Sequence, residues 1–191
     1  MTSSTPYHEW AKRLRKSDES VFRELFMDSY DQLIRYADSI VRDPDVAADI
    51  LQEVYAHLWE IRDRIDENKS LKALLYRMTR NRGINHVRAK RSVRLDELDP
   101  ADQPSEEMEL PGDESAGEES GELQRKIYEW IETLPLRQRE AFELSRFEGL
   151  DHHEIADVME CAPRTVNNHI VSALGTLRNQ LSEWEKNIKN S

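Results

Sequence analysis

The sequence is poorest in cysteine, since its 191 residues contain only Cys161. A single thiol excludes an internal disulfide and a zinc cluster built from several cysteines, and it is typical of a reducing compartment. The chain also lacks any run of about 18 apolar residues, so no membrane insertion is expected. Its first ten residues are polar and do not resemble a signal peptide. We therefore expect a cytoplasmic protein.

Positive charge is scarce as well, because 27 Lys and Arg stand against 38 Asp and Glu and the net charge is −11. The excess of acidic residues is confined to one segment of the chain. Residues 92–122 hold one basic and 12 acidic side chains, whereas residues 1–91 hold 17 and 15 and residues 123–191 hold nine and 11. The flanking blocks are nearly neutral, so the average charge does not exclude a nucleic-acid partner.

Glycine and proline are few, yet three of the six glycines and three of the seven prolines fall within residues 92–122. Low hydrophobicity combined with high net charge does not offset the entropy cost of ordering. We expect a flexible acidic linker between two small domains, residues 1–91 and 123–191. Two roles are open for it: a passive spacer, or an inhibitor that competes with DNA for a basic helix.

Both domains are predicted to be helical, because apolar residues recur at steps of three and four and no alternating strand pattern is present. The N-terminal block indicates helices over residues 5–15, 20–41 and 70–91, with a third helix that begins at Asp43-Pro44 and whose apolar stripe reaches Ile65. The C-terminal block indicates helices over 123–133, 136–148, 152–159 and 164–183. The predicted fold class is all-α, with two small bundles.

Residues 149–170 have the pattern of a helix-turn-helix in the C-terminal domain. Ile155, Ala156 and Met159 are predicted to face the core from the first helix, and Val166 and Ile170 from the second. The other face of the second helix offers donors and acceptors of the kind that contact phosphates and base edges in the major groove. These are Arg164, Thr165, Asn167, Asn168 and His169. An ordinary helical hairpin is the alternative interpretation.

Two charged faces occur in the N-terminal domain. The fourth helix of this domain carries six basic and no acidic residues between Tyr76 and Arg91. The third helix carries an acidic stripe formed by Asp45, Asp49, Glu53, Glu60 and Asp63, joined by Gln52. A charged helix face of either kind is often only solvated. The presence of a helix-turn-helix in the same chain favours nucleic-acid contact for the basic face of the fourth helix. Adjacent His152 and His153 point about 100° apart on a helix, so no metal site is expected. We find no catalytic triad, phosphate-binding glycine loop or paired carboxylates, and we expect neither an enzyme nor a cofactor.

Three segments carry a family resemblance. Residues 49–55 (DILQEVY), followed by Leu58-Trp59, resemble the signature of sigma-70 family factors. Residues 74–81 (LLYRMTRN), followed by Arg88, resemble the next segment in the extracytoplasmic-function group. Leu134-Pro135 and the helix-turn-helix resemble the family's C-terminal domain. Residues 165–174 (TVNNHIVSAL) are most similar to the Bacteroidetes branch.

The resemblance implies an alternative sigma factor that binds core RNA polymerase, through its largest-subunit clamp and its flap, and directs promoter-specific transcription initiation. It implies that an anti-sigma factor is a further partner and that the second helix of the helix-turn-helix reads the −35 element. Polymerase contact is implied for Asp49, Gln52 and Glu53. Contact with −10 DNA is implied for Asn68, Lys69, Arg77, Asn81, Arg88 and Arg91. The rivals are a response-regulator-type helix-turn-helix transcription factor and an acidic protein that sequesters a basic partner.

Overall fold

The computed structural model describes residues 6–96 and 118–189; for residues 91–96, 118–120 and 189 it describes the helical backbone only. These two ranges contain eight α-helices and one 3₁₀ turn, Arg62–Arg64, and no strand. The all-α class is therefore confirmed. The helices are α1 (Tyr7–Arg15), α2 (Glu19–Val41), α3 (Pro44–Glu60), α4 (Leu71–Asp96), α5 (Glu118–Glu132), α6 (Leu136–Arg146), α7 (His152–Met159) and α8 (Pro163–Lys189).

The contacts divide the described residues into two compact units. The first takes in α1 to α4 together with residues 153–161, and the second takes in α5, α6 and α8. Most of the predicted acidic linker lies outside the described residues. The division into residues 1–91, 92–122 and 123–191 stays a prediction.

Polar side chains mark the beginnings of three helices, because the first N–H groups of a helix have no partner within it. The carboxylate of Asp18 accepts from the backbone N–H groups of Ser20 and Val21. Hydrogen bonds from Ser20 and Arg13 also lower the pKa of Asp18 to about 2, so this cap is charged at neutral pH. Asp43 caps α3, and Ser70 accepts from the N–H of Ala73 at 3.1 Å.

The third helix is shorter than its apolar stripe predicts. It ends at Glu60, and Ile65 is buried in an extended conformation after the 3₁₀ turn. Arg62 accounts for this end, since its guanidinium donates to the carbonyl of Trp59 at 2.5 Å and satisfies an acceptor that the helix leaves free. The apolar and acidic stripes of the predicted third helix both run past residue 60, the acidic one as far as Asp63. Asp63 lies in the 3₁₀ turn, so its predicted place on the helix face is wrong.

Two helices extend into the segment predicted to be a flexible linker. α4 continues to Asp96, and α5 begins at Glu118. No glycine or proline interrupts residues 92–96, and each added helical residue contributes a hydrogen bond at little further cost. Helix α4 therefore ends five residues later, and α5 begins five residues earlier, than the predicted helices over 70–91 and 123–133.

In the first unit, α2 packs against both α3 and α4. A Cβ atom on Gly83 of α4 would lie 2.9 Å from Cγ2 of Ile40, so glycine permits this close approach of α4 to α2. A buried hydrogen bond of 2.8 Å joins the hydroxyls of Ser29 and Tyr55, and burial raises the pKa of Tyr55 to about 12. The fully buried leucines of this core are Leu14, Leu25, Leu33, Leu51, Leu58 and Leu75.

In the second unit, α6 and α5 pack against α8. The core residues are Ile131, Leu134, Phe142 and Ala173, with Leu174 and Leu177 packed against them. Glu143 of α6 is half-buried beside this core. Burial raises its pKa to about 7; Arg139 opposes the shift, and the carboxylates of Glu140, Glu132 and Glu148 add to it. Between pH 4.5 and about pH 7, the folded protein therefore keeps a proton on Glu143 that the unfolded chain releases.

The raised pKa of Glu143 predicts a pH-dependent stability. Stability conferred by its protonated form is complete below the ordinary value of 4.5 and is lost as pH rises towards 7. The free energy of unfolding of Glu143→Gln should therefore exceed that of the wild type by about 1–3 kcal/mol at pH 8. At pH 4.5 the two values should be nearly equal. Urea unfolding of the full chain at both pH values, followed by circular dichroism, measures this.

Glu183→Gln is the matched control, because Glu183 is exposed on α8. It should behave like the wild type at both pH values. An equal gain for Glu143→Gln at pH 4.5 and pH 8 would show that titration of this carboxyl is not the cause.

Candidate interfaces for protein and nucleic acid

The acidic stripe of α3 faces solvent. Asp49, Gln52 and Glu53 are all exposed, on a helix whose opposite face is buried against α2 and α4. Glu53 is also part of an ion pair, since its Oε2 lies 3.3 Å from Nε of Arg82 on α4. Sequence reasoning missed this pair because the two residues are 29 positions apart. Asp49 therefore contributes an exposed negative charge to the stripe, whereas Arg82 partly neutralises the charge of Glu53.

Residues 66–70 form a loop between the 3₁₀ turn and α4, which we call the 66–70 loop. Oδ1 of Asp66 accepts from the backbone N–H of Asn68 at 3.0 Å and from its side-chain amide at 3.2 Å. The backbone N–H of Lys69 donates to the carbonyl of Asp66 at 3.1 Å. Asn68 and Lys69 are both exposed. The loop is thus internally bonded and presents an amide and an ammonium group outward.

A cavity of about 240 Å³ adjoins this loop. Two predicted −10 residues, Lys69 and Arg77, line it, whereas Asn68, Asn81 and Arg88 do not. The structure therefore brings the loop and the start of α4 together around one concave surface. Its other lining residues are Ile61, Arg64, Ile65, Asp66, Ser70, Leu71, Ala73, Leu74 and Asp157.

The basic residues of α4 do not form one continuous exposed face. Arg80 is 5% exposed, and Arg82 pairs with Glu53. Arg77 is half-buried and Arg88 is exposed, while the side chain of Arg91 lies outside the described part of the chain. Part of the positive charge of α4 is therefore buried at Arg80 or paired at Arg82.

Asn81 is also engaged. Its side-chain amide donates to Oε1 of Glu160 at 3.1 Å. Glu160 follows α7 directly and has a left-handed backbone, with φ of 52°. Contact between Asn81 and a DNA base therefore requires this hydrogen bond to open.

Residues 152–170 form a helix-turn-helix, with α7 as its first helix and α8 as its second. The backbone N–H of Cys161 donates to the carbonyl of Ala156 at 3.1 Å and closes the end of α7. Ile155, Ala156, Met159, Val166 and Ile170 are each no more than 5% exposed, as the sequence predicts. The inner faces of both helices are therefore buried.

The outer face of α8 carries polar side chains. Arg164, Thr165, Asn167 and Asn168 are exposed, and His169 is half-buried. Sequence reasoning overlooked Val171, which is 58% exposed. Its spacing from Arg164, Asn167 and Asn168 is seven, four and three residues, so it shares their face. That spacing is visible in the sequence, although the exposure is not.

No group of His, Cys, Asp and Glu suited to a metal ion occurs in the described part of the chain. Within the same residues, no helix is long and apolar enough to cross a membrane. A helix-turn-helix with a polar outer face, in an all-helical fold whose α3 and α4 carry acidic and basic side chains, defines a class of protein: a helical DNA-binding protein.

Comparisons with known proteins agree with this class. The sigma-70 region 2 model matches residues 25–93, and the sigma-70 region 4 model matches residues 124–177. The chain is 25% identical to the ECF RNA polymerase sigma factor SigK of Mycobacterium tuberculosis over 178 residues, which cover 89% of this chain and 90% of that one. It is 26% identical to the ECF RNA polymerase sigma-E factor of Escherichia coli over 175 residues, 89% and 91% of the two chains.

Two solved structures have a similar fold. One is CnrH in complex with the cytosolic domain of CnrY, with a TM-score of 0.63, 18% identity and coverage of 94% of this chain and 99% of that one. The other is the sigma factor RpoE in complex with the anti-sigma factor NepR from Bartonella quintana, with a TM-score of 0.67, 22% identity and coverage of 84% and 96%.

Because two models of one family match consecutive parts that together exceed half of the chain, the protein belongs to the sigma-70 family, in its extracytoplasmic-function group. It is an alternative sigma factor for transcription initiation. The region 2 match over residues 25–93 identifies the N-terminal part as that of a sigma factor, in place of the response-regulator alternative. Membership of the Bacteroidetes branch stays a prediction.

Proposed function

We propose that this protein is a non-catalytic specificity factor that works in the cytoplasm and guides core RNA polymerase to promoters through three surfaces. The acidic stripe of α3 binds the polymerase clamp, the 66–70 loop with α4 binds −10 DNA, and α8 reads the −35 element. The observation that carries the proposal is that the outer face of α8 exposes polar side chains, while its inner face is buried in the helix-turn-helix. Donors and acceptors on such a face suit the major groove.

The polymerase contact is supported by the exposure of the α3 stripe. Asp49, Gln52 and Glu53 contribute little to the buried core, so their charges are available for a complementary basic surface. Charged groups of this kind speed encounter and select the partner, and a pair that becomes buried in the complex holds it. Arg82 leaves Glu53 when the partner's cation replaces it.

Charge reversal of this stripe tests both the contact and the function. Asp49→Lys with Glu53→Lys should weaken binding to core polymerase by about 2–5 kcal/mol, because a paired charge is replaced by a repelling one. Run-off transcription with core polymerase, with start sites mapped by sequencing, should yield discrete promoters for the wild type and none for the double variant.

The control variant is Glu24→Lys with Asp31→Lys, which makes the same charge change at exposed positions of α2. It should retain polymerase binding, and both variants should keep the helical content of the wild type. Co-purification of the α3 variant with core polymerase at the wild-type level would disprove the docking surface.

The −10 surface is supported by the cavity beside the 66–70 loop. Lys69 and Arg77 bring positive charge to its lining, and Asn68 offers an amide at its side of the loop. Asn68 and Asn81 each exchange a hydrogen bond, with Asp66 and Glu160 respectively, when they contact DNA. Arg88 and Arg91 contribute phosphate contacts along α4, which hold the duplex without reading its sequence.

The assignment of reading and holding roles predicts different effects for two exposed residues. Asn167→Ala should lower discrimination at one −35 position by about 1–3 kcal/mol, because a side chain at a base edge carries sequence information. Arg88→Ala should weaken binding to all promoters alike and lower the slope of log affinity against log salt by about one unit. Holoenzyme binding to a promoter library at several salt concentrations measures both. The opposite pattern would reverse the two roles.

Val171 extends the reading face with an apolar group. The methyl of thymine is the apolar feature of the major groove, so we propose that Val171 contacts a thymine in the −35 element. Val171→Ala should weaken binding to that promoter by about 0.5–1 kcal/mol, close to the value of one buried methylene.

Deoxyuridine in place of that thymine removes only the methyl group and should cause a similar loss for the wild type. It should have no effect on the Val171→Ala variant, because the contact is already absent. Equal losses for wild type and variant at every −35 thymine would contradict this contact.

Further partners follow from exposed apolar residues of the second unit. Tyr128 and Phe147 are 38% and 54% exposed, and their ring centroids lie 6.2 Å apart. Exposed apolar clusters of this kind mark protein-binding surfaces. We assign this surface to the polymerase flap. An anti-sigma factor is a further partner, because both solved structures described above are complexes and one names an anti-sigma factor.

A further inference from the structure

Helix α1 has no role in the surfaces above, and it precedes residue 25, where the region 2 match begins. Its Trp10, Ala11 and Leu14 are buried, so the helix is part of the first unit and not a loose extension. It packs against α2, the 3₁₀ turn and α4. The last two elements are those that flank the 66–70 loop.

Two polar contacts join the end of α1 to this region. Nη1 of Arg15 lies 2.6 Å from Oε1 of Glu67, within the 66–70 loop. Nε of Arg62 in the 3₁₀ turn donates to Oγ of Ser17 at 2.9 Å. Ser17 has a left-handed backbone, with φ of 58°, which is uncommon for a residue other than glycine. The chain therefore turns sharply after α1 at the point where it is bonded to the 3₁₀ turn.

The 66–70 loop has contacts at three successive points. Asp66 binds Asn68, and Ser70 caps α4. Glu67 lies between them and is the position at which α1 contacts the loop. Its neighbours Asn68 and Lys69 are exposed, so a rotation of the loop about Glu67 would change the direction in which both side chains point.

We propose that Arg15 is a positioning residue for −10 recognition, which acts through Glu67 by setting the orientation of the 66–70 loop. The proposal rests on the −10 role of the loop given under Proposed function. Arg15 itself does not contact a base. It holds Glu67, and the bonded loop then presents Asn68 and Lys69 to DNA in one orientation.

A purely structural role is a poor explanation of this ion pair. The side chains of Arg15 and Glu67 are 43% and 35% exposed, and exposed ion pairs contribute little to the stability of a fold. The buried apolar residues of α1 already hold the helix in place. Loss of the pair should therefore leave the fold intact and act on loop orientation alone.

The test is a charge swap measured on the complete holoenzyme. Arg15→Glu, Glu67→Arg and the variant with both changes are each combined with core polymerase and a set of promoters that carry all four bases at each −10 position. Each single variant should lose about two- to fivefold of the preference for the best base, in keeping with the size of an exposed ion pair. The double variant should regain it, because the opposite charges meet again. The unfolding midpoint should stay at the wild-type value.

Lys16→Glu is the matched control, since it makes the same charge change at the exposed next residue. It should leave −10 preference unchanged. An effect as large as that of Arg15→Glu would show that general repulsion of DNA, and not positioning of the loop, is the cause. Asn68→Ala separates this proposal from the role of the loop. If Asn68→Ala alters −10 preference and Arg15→Glu does not, or if the double variant is not rescued, Arg15 is not a positioning residue. If Asn68→Ala also has no effect, the loop does not read the −10 element.

Discussion

Burial of the inner faces of α3 and α4 against α2 is the constraint on which the surfaces of the first unit depend. Each of these helices has one apolar face, and packing of both on α2 leaves the acidic stripe of α3 and the outer positions of α4 in solvent. Gly83 makes this arrangement possible, because a side chain there would collide with Ile40. The exposed acidic stripe of α3 and the exposed positions of α4 are therefore consequences of the same packing.

Exposed ion pairs then decide which charges remain available on these faces. Arg82 partly neutralises Glu53 on the acidic stripe, and Arg15 occupies Glu67 in the 66–70 loop. Pairs of this kind contribute little to stability. They matter because they fix the orientation of a side chain or a loop, and so the direction in which neighbouring residues face a partner. The side chain of Asn81 is held in the same way, by its hydrogen bond to Glu160.

Local periodicity was sufficient to predict most of the helices and the whole helix-turn-helix. The buried positions of its two helices follow from three- and four-residue spacing, and Ile155, Met159 and Val166 lie where that spacing places them. The order of the family motifs was sufficient for the class of protein, because each motif is a short segment that sequence displays directly. Exposure of Asp49, Gln52, Arg164 and Asn167 follows from the same periodicity, as each lies opposite an apolar stripe.

Sequence by itself thus determined the all-helical class, the two regions of the family and the outward face of each functional helix. Tertiary structure alone decided the end of α3 at Glu60, the burial of Arg80, and the contacts of Arg15 and Arg82. The physical reason is range. Helix formation and amphipathic spacing depend on residues within about four positions of one another. The partner of a charged side chain 29 or 52 positions away exists only after the helices have packed.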